Sequence, residues 1–269
     1  MADTILETIA AYARERVAAA KALVSAQEMK ERALACRCDT GFPFEKALSG
    51  TDIGFICECK KASPSKGLIA PDFPYLEIAR DYEKAGAACI SVLTEPKWFL
   101  GQDAYLQEIT QTVSIPCIRK DFTVDEYMIY KAKTLGASAV LLICALLDTD
   151  TVKRYIQICD RLGLSALVEV HDEQEIASAV KAGARIIGVN NRNLKDFTVD
   201  VHNSERLRAL VPPQVLFVAE SGIKTAADIQ VLRSAGVNGA LIGETLMRAP
   251  DKKAMLDELR GSKDKRSES

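Results

Sequence analysis

Eight short apolar runs, rich in Val, Ile, Leu and Cys, alternate with longer amphipathic stretches and begin near Ile53, Ala87, Ile115, Ser138, Ser165, Arg185, Val215 and Gly239. Their residues are apolar at consecutive positions, as in strands covered on both faces within a parallel sheet flanked by helices. A spacing of roughly 20 to 35 residues fits one strand plus one crossover helix. Glycine marks the same rhythm. Ala85-Gly86-Ala87, Leu135-Gly136-Ala137, Leu162-Gly163-Leu164, Ala182-Gly183-Ala184 and Ala235-Gly236-Val237 each place one where a helix stops and the next run begins. Only glycine adopts the left-handed cap conformation without steric cost. Eight such units predict a closed TIM (β/α)8 barrel. An open doubly wound sheet would carry a glycine-rich dinucleotide turn after its first strand, and none is present.

The barrel is expected over residues 51–260, behind an N-terminal helical extension over 1–50 and before a polar tail over 261–269. Thr4-x-x-Glu7 reads as a capping box, and Ile5, Ile9 and Tyr12 fall on one face, so a long Ala-rich helix is predicted to about Ala35. Phe42-Pro43-Phe44 ends the connector, and Glu45 to Leu48 form a short second helix. Periodicity leaves open whether the extension covers the underside of the barrel or its mouth.

With 269 residues, 48% of them hydrophobic, the chain can bury a sizeable core. A net charge of −2 gives no basic footprint for a phosphate backbone, so the expected partner is a small molecule and not nucleic acid. Asp3, Glu7, Arg14, Glu15 and Arg16 interrupt what a secretory signal would need, and no run reaches membrane-spanning length. A cytoplasmic protein, monomeric or weakly oligomeric and free of membrane contact, is expected. The eight cysteines are spread from Cys36 to Cys159, and several lie inside apolar runs. Cys36-x-Cys38 and Cys57-x-Cys59 lack zinc-site spacing, and His171 and His202 stand far from either pair. Structural thiols are expected, with no metal and no cofactor. Cys57 and Cys59 should face a covering helix.

Polar residues gather where the runs end. Glu58 and Lys60 close the first run and, two apart on a strand, point to one side. The third run ends in Arg119-Lys120-Asp121, the fifth in Glu169, the sixth in Asn190-Asn191-Arg192 and the seventh in Glu220-Ser221-Gly222. Two lysines and three carboxylates around one mouth shift each other's proton affinity, which acid and base catalysis requires. A structural ion network is the competing explanation, and recurrence at five strand ends favours catalysis. Ser221-Gly222 after the seventh run and Gly243-Glu244-Thr245 after the eighth stand where barrels offer backbone N–H groups to phosphate, with Arg192 and Ser63 nearby in neighbouring loops. Trp98-Phe99, Phe122 and Leu142 could wall an aromatic substrate, although packing explains Trp98 better than Phe122.

These residues resemble a known family. Glu58-Cys59-Lys60-Lys61-Ala62-Ser63-Pro64-Ser65-Lys66-Gly67, Arg119-Lys120-Asp121-Phe122, Val168-Glu169-Val170-His171, Gly188-Val189-Asn190-Asn191-Arg192-Asn193-Leu194, Ala219-Glu220-Ser221-Gly222-Ile223 and Ile242-Gly243-Glu244-Thr245-Leu246-Met247 are similar, in order, to the motifs of indole-3-glycerol phosphate synthases. The likeness runs from the N-terminal helix to Arg248. It implies a barrel that converts 1-(2-carboxyphenylamino)-1-deoxyribulose 5-phosphate, an aromatic ketose phosphate, into indole-3-glycerol phosphate in tryptophan biosynthesis, releasing carbon dioxide and water without metal or cofactor. By that likeness Lys120 is the general acid, Glu169 and Lys60 share the later proton transfers, and Glu58, Asn190, Glu220 and Ser221 complete the catalytic set. Ser63, Arg192, Ser221, Gly222, Gly243 and Glu244 match phosphate-binding positions. The rivals are another phosphate-binding barrel, such as phosphoribosylanthranilate isomerase, and a non-catalytic barrel subunit. The isomerase would need a cysteine base and an aspartate acid, and no aspartate ends the sixth run.

Overall fold

A computed structural model of the chain describes residues 4–192, 198–200 and 202–261. Eight parallel strands close into a barrel: β1 (Gly54–Cys59), β2 (Cys89–Leu93), β3 (Cys117–Lys120), β4 (Ala139–Ile143), β5 (Ser165–Val170), β6 (Ile186–Asn190), β7 (Leu216–Glu220) and β8 (Gly239–Ile242). Each begins within two residues of its apolar run. The last strand pairs with the first, Gly54 opposite Gly239. After β1 the chain makes a small antiparallel hairpin, Ala62–Ser63 against Gly67–Leu68, in the segment the sequence marked only as a break.

The strands' two-residue period divides the core into two shells. Ile56, Cys89, Ile118, Leu141, Leu167, Ile186, Val218 and Leu241 fill the barrel interior, while Cys57, Ile90, Val140, Leu142, Val168, Phe217 and Ala240 pack outward against the helices. Cys57 and Cys59 therefore face the helices, as expected. All eight cysteines are free, and five are buried. Helices are stopped and started by local chemistry. Gly86, Gly136, Gly163, Gly183 and Gly236 all have positive φ, between 65° and 86°. Asp125, Asp148, Asp172 and Thr225 cap the N-termini of the helices that follow β3, β4, β5 and β7.

The N-terminal extension differs from the single long helix predicted for it. Helix α1 (Ile5–Leu23) starts at the Thr4/Glu7 capping box but ends at Val24, and α2 (Ala26–Ala35) begins again behind Ser25, whose hydroxyl accepts the Glu28 N–H. Ser25-x-x-Glu28 is a second start signal inside the Ala-rich stretch, and the extended Val24 breaks the helix there. Helix α3 (Pro43–Leu48) starts two residues earlier than expected.

The question of cover or lid has two answers, because different helices serve different ends. Helix α3 plugs the underside: Phe44 and Leu48 are fully buried in the inner shell. Glu45 accepts from Ser165 at 3.0 Å and pairs with Arg185 at 2.9 Å. Helix α1 crosses the mouth, tied by a two-pronged Arg16–Asp121 bridge (2.7 and 3.1 Å) and by Lys21–Asp125 at 2.7 Å. The polar tail expected from residue 261 lies outside the described residues beyond Gly261.

Leu48 packs closely over both Gly54 and Gly239, where a Cβ would come within 3.0 and 3.2 Å of its side chain. Leu48→Ala is expected to lower unfolding free energy by about 2–5 kcal/mol, read as a reduced urea midpoint at unchanged slope.

Candidate active site

Inward-pointing positions above the apolar layer carry Glu58, Lys120, Glu169 and Glu220, one residue pair up, and Asn190, two pairs up beyond Gly188, onto a single ring at the C-terminal ends of the strands. Register sets the neighbours: Asn190 stands opposite Glu220, and Glu169 opposite Ile143. Lys120 Nζ lies 3.5 Å from Glu169 Oε2 and 3.6 Å from Glu220 Oε2. Asn190 Nδ2 donates to Glu169 Oε1 at 3.2 Å, and Lys60 Nζ pairs with Glu58 Oε2 at 2.6 Å. Ser91 donates to the other Glu58 oxygen at 3.3 Å.

Two glycines make room for this ring. A Cβ at Gly188 would lie 2.2 Å from Glu220 Oε1, and one at Gly243 would lie 2.3 Å from Glu58 Oε2 and 2.7 Å from Lys60 Nζ. Any side chain at either position would displace a charged group.

Burial and charge pull the ring's proton affinities apart. Burial works against the Lys120 ammonium, but Glu169, Glu220 and Glu58 outweigh it and raise its pKa. Burial also pushes the Glu58 and Glu169 carboxyls upward, and their lysine neighbours overcome it, leaving both below the usual carboxylate range. Glu220 goes the other way. Burial raises it to about 8, with the Glu169 and Glu58 charges adding to the rise and Lys120 opposing it. Three carboxylates share two lysines, and the proton held by Glu220 brings the ring to neutrality.

The ring opens into a cavity of about 290 Å³. On one side stand Ser63, Lys66, Arg192, Ser221, Gly222, Gly243 and Glu244, so every sequence-predicted phosphate position shares this cavity. Ser221 and Gly222 both have positive φ, 69° and 84°, a conformation unusual for serine. On the other side are Phe99 and Phe122, with ring centroids 5.9 Å apart, and Ile5, Leu6 and Ile9 of α1 close the top.

One aromatic-wall expectation is corrected, and the packing reading of Trp98 holds. Leu142 points into the outer shell, because strand alternation gives the cavity Leu141 and Ile143 instead. Trp98 leaves the cavity and packs edge-on against Tyr12 of α1, centroids 5.6 Å apart. Phe99 is placed by a group that sequence reasoning missed. Glu95 is fully buried, and its carboxylate accepts the backbone N–H groups of Lys97, Trp98 and Phe99 at 2.7–3.0 Å. Asp121 was missed too. It gathers Arg16, Arg119, Thr94 and the Phe122 N–H, and the two arginines hold its carboxyl below the usual range against the cost of burial. His171, beside Glu169, gave no signal as one of two scattered histidines.

The described residues hold no cluster of His, Cys, Asp and Glu fit for a metal, and none of their helices is long and apolar enough to cross a membrane. Cys57 faces the helices and so stands outside this cavity.

Glu220 yields a pH test. Its folded pKa lies above the unfolded value, so the stability tied to its proton is full below about pH 4.5 and is lost as pH rises toward 8. Thermal midpoints of the wild type are expected to fall across that window, and Glu220→Gln should flatten the decline, as followed by circular dichroism.

The family model for indole-3-glycerol phosphate synthase matches residues 6–259. An indole-3-glycerol phosphate synthase of Ruminiclostridium cellulolyticum is 59% identical over 96% of this chain and 99% of its own length. One of Endomicrobium trichonymphae is 54% identical over 95% and 99%. Among solved structures, a thiamine phosphate pyrophosphorylase from Pyrococcus furiosus superposes with a TM-score of 0.58 at 18% identity, covering 78% of this chain and 94% of its own, a likeness of fold alone.

Proposed function

The chain belongs to the indole-3-glycerol phosphate synthase family, and from that premise we propose a division of its one cavity into a proton-transfer ring, a phosphate side and an aromatic side. The enzyme is a decarboxylating lyase of tryptophan biosynthesis that closes the pyrrole ring of 1-(2-carboxyphenylamino)-1-deoxyribulose 5-phosphate. The observation that carries the division is Lys120, a mostly buried ammonium, 16% exposed, held between the buried carboxyl groups of Glu169 and Glu220 in the wall of the cavity.

The substrate has charge at both ends and a reactive carbonyl between. Its phosphate would sit against Ser63, Arg192, Ser221, Gly222 and the backbone of Gly243 and Glu244, where consecutive left-handed residues turn N–H groups toward an anion. Its anthranilate ring would lie against Phe99, Phe122 and the apolar face of α1. Anchored at both ends, it must bend, which brings the aromatic carbon bearing the carboxylate onto the ketone carbon. Lys120 then protonates the ketone oxygen as the bond forms. Carbon dioxide leaves without further catalysis, because ring closure has put a cation beside the carboxylate. Loss of water follows, with an acid at the hydroxyl and a base at the neighbouring methylene, roles that fall to Lys60 and Glu169. Glu58 holds Lys60, while Asn190 and Glu220 orient Glu169 and Lys120. The net charge of −2 supports a small-molecule partner over nucleic acid, and a cytoplasmic monomer or weak oligomer is the form we propose.

Lys120→Met keeps an unbranched side chain only one heavy atom shorter and removes the proton. Its kcat is expected to fall by at least about 100-fold with KM within a few-fold of wild type, measured by carbon dioxide release and indole fluorescence. Turnover within tenfold of wild type would refute the acid assignment.

A further inference from the structure

One proton is consumed in every turnover. The ketone oxygen collects two protons to depart as water, the methylene returns one as the ring becomes aromatic, and the carboxylate leaves as carbon dioxide carrying none. Two in and one out leave one to be supplied from outside. The ring of charged groups that must receive it is buried under α1.

Beside that ring lies a second cavity, bounded by Thr4 and Leu6 of α1, Asn190, Asn191 and His171. His171 lines the second cavity and Glu169 the first. Its Nε2 is buried and makes no hydrogen bond, and Glu169 Oε1 is 3.4 Å away. Its Nδ1 lies 3.1 Å from Glu175 Oε2, and the same carboxylate accepts the His171 backbone N–H at 2.8 Å. Glu175, itself in the wall of the second cavity, thus fixes the ring with Nδ1 on its carboxylate and Nε2 toward Glu169, a group that touches Lys120.

We propose that His171 is the proton store of the catalytic cycle: its imidazolium gives the Nε2 proton to the Glu169 carboxylate at Oε1, and the carboxyl group so formed turns and yields that proton to the amine left on Lys120, returning to carboxylate. The ring regains its proton from water once carbon dioxide and product have gone. The store holds one proton, and the stoichiometry asks for one. The inference rests on the reading of Glu169 and Lys120 as proton-transfer groups.

The charges around the imidazole suit this use. Glu169 belongs to its own strand, Glu175 to the following helix (Glu173–Ala182), and Glu220 to β7, with Lys120 beyond Glu169. Glu7, Asp172, Asp200 and Arg192 stand around the second cavity. Burial disfavours the charged ring, but the Glu175 hydrogen bond and the Glu169, Glu175 and Glu220 charges outweigh it and raise the pKa above its ordinary 6.5. The imidazolium is therefore present below the raised value and is lost as pH rises through it.

The test is the pH profile of kcat for the wild type, His171→Gln and Glu169→Gln, with ¹⁵N NMR of the wild-type imidazole. The wild type should lose kcat as pH rises through the NMR-measured pKa of His171. His171→Gln keeps hydrogen-bonding capacity but carries no exchangeable charge, so its kcat should drop about tenfold or more, lose that limb, and recover in part with added imidazole. A merely structural histidine would leave the glutamine variant with the wild-type profile, and that result overturns the proposal. So does an imidazole that NMR finds neutral at pH 6, a measurement independent of whether the variant folds. If Glu169→Gln turns over like wild type, the underlying reading of Glu169 falls. If it is inactive while His171→Gln is unimpaired, only the store falls.

Discussion

A strand in a closed barrel offers every second side chain to the axis, and closure makes those side chains face one another. That constraint converts five separate strand ends into one chemical site. Glu58, Lys120, Glu169, Asn190 and Glu220 are far apart in sequence, yet four of them sit one inward position above Ile56, Ile118, Leu167 and Val218, and Asn190 stands above Gly188 and Ile186. The hydrophobic layer below them excludes water and lowers the local dielectric, so charges only 3.5 Å apart act strongly on each other. Core and site are consecutive layers of a single repeating geometry.

The second organising element is Asp121, next in sequence to Lys120 but pointing away from the ring. Its buried carboxylate takes Arg119 from the same strand, Thr94 from the end of β2 and Arg16 from α1. A buried carboxylate that loses one of these partners leaves an uncompensated charge, which costs far more than an exposed pair gains. The helix over the mouth is therefore fastened through the strand that bears Lys120. Glu95 does comparable work on the loop after β2, where three N–H bonds fix the backbone that presents Phe99.

Much of this could be read from the sequence, for a physical reason. Apolar runs repeated eight times, and glycine stops and strand-end charges each repeated five times, are local signals, so the barrel and the charged ring stood out together. Facing directions were harder. Leu142 was assigned to the aromatic wall because its strand was identified without its parity, and a one-residue error reverses a side chain. The break at Val24–Ser25 was hidden by alanines that favour helix on both sides. Asp121 was invisible for another reason: it acts through Thr94 and Arg16, 27 and 105 residues away, and no local pattern encodes such pairings. Glu95 and His171 have partners only two to four residues off, but those are backbone N–H groups and neighbouring carboxylates, which residue types alone do not mark out.

The wedge of Leu48 between Gly54 and Gly239 has a consequence for how the protein is made. The first strand finds one of its two neighbours only when the last strand has emerged from the ribosome, nearly two hundred residues later. Until then the extension and β1 expose the apolar faces that the finished barrel hides. A nascent chain of this design reaches its cooperative unit only near the end of translation, so chaperone capture should be concentrated on chains stalled before residue 239.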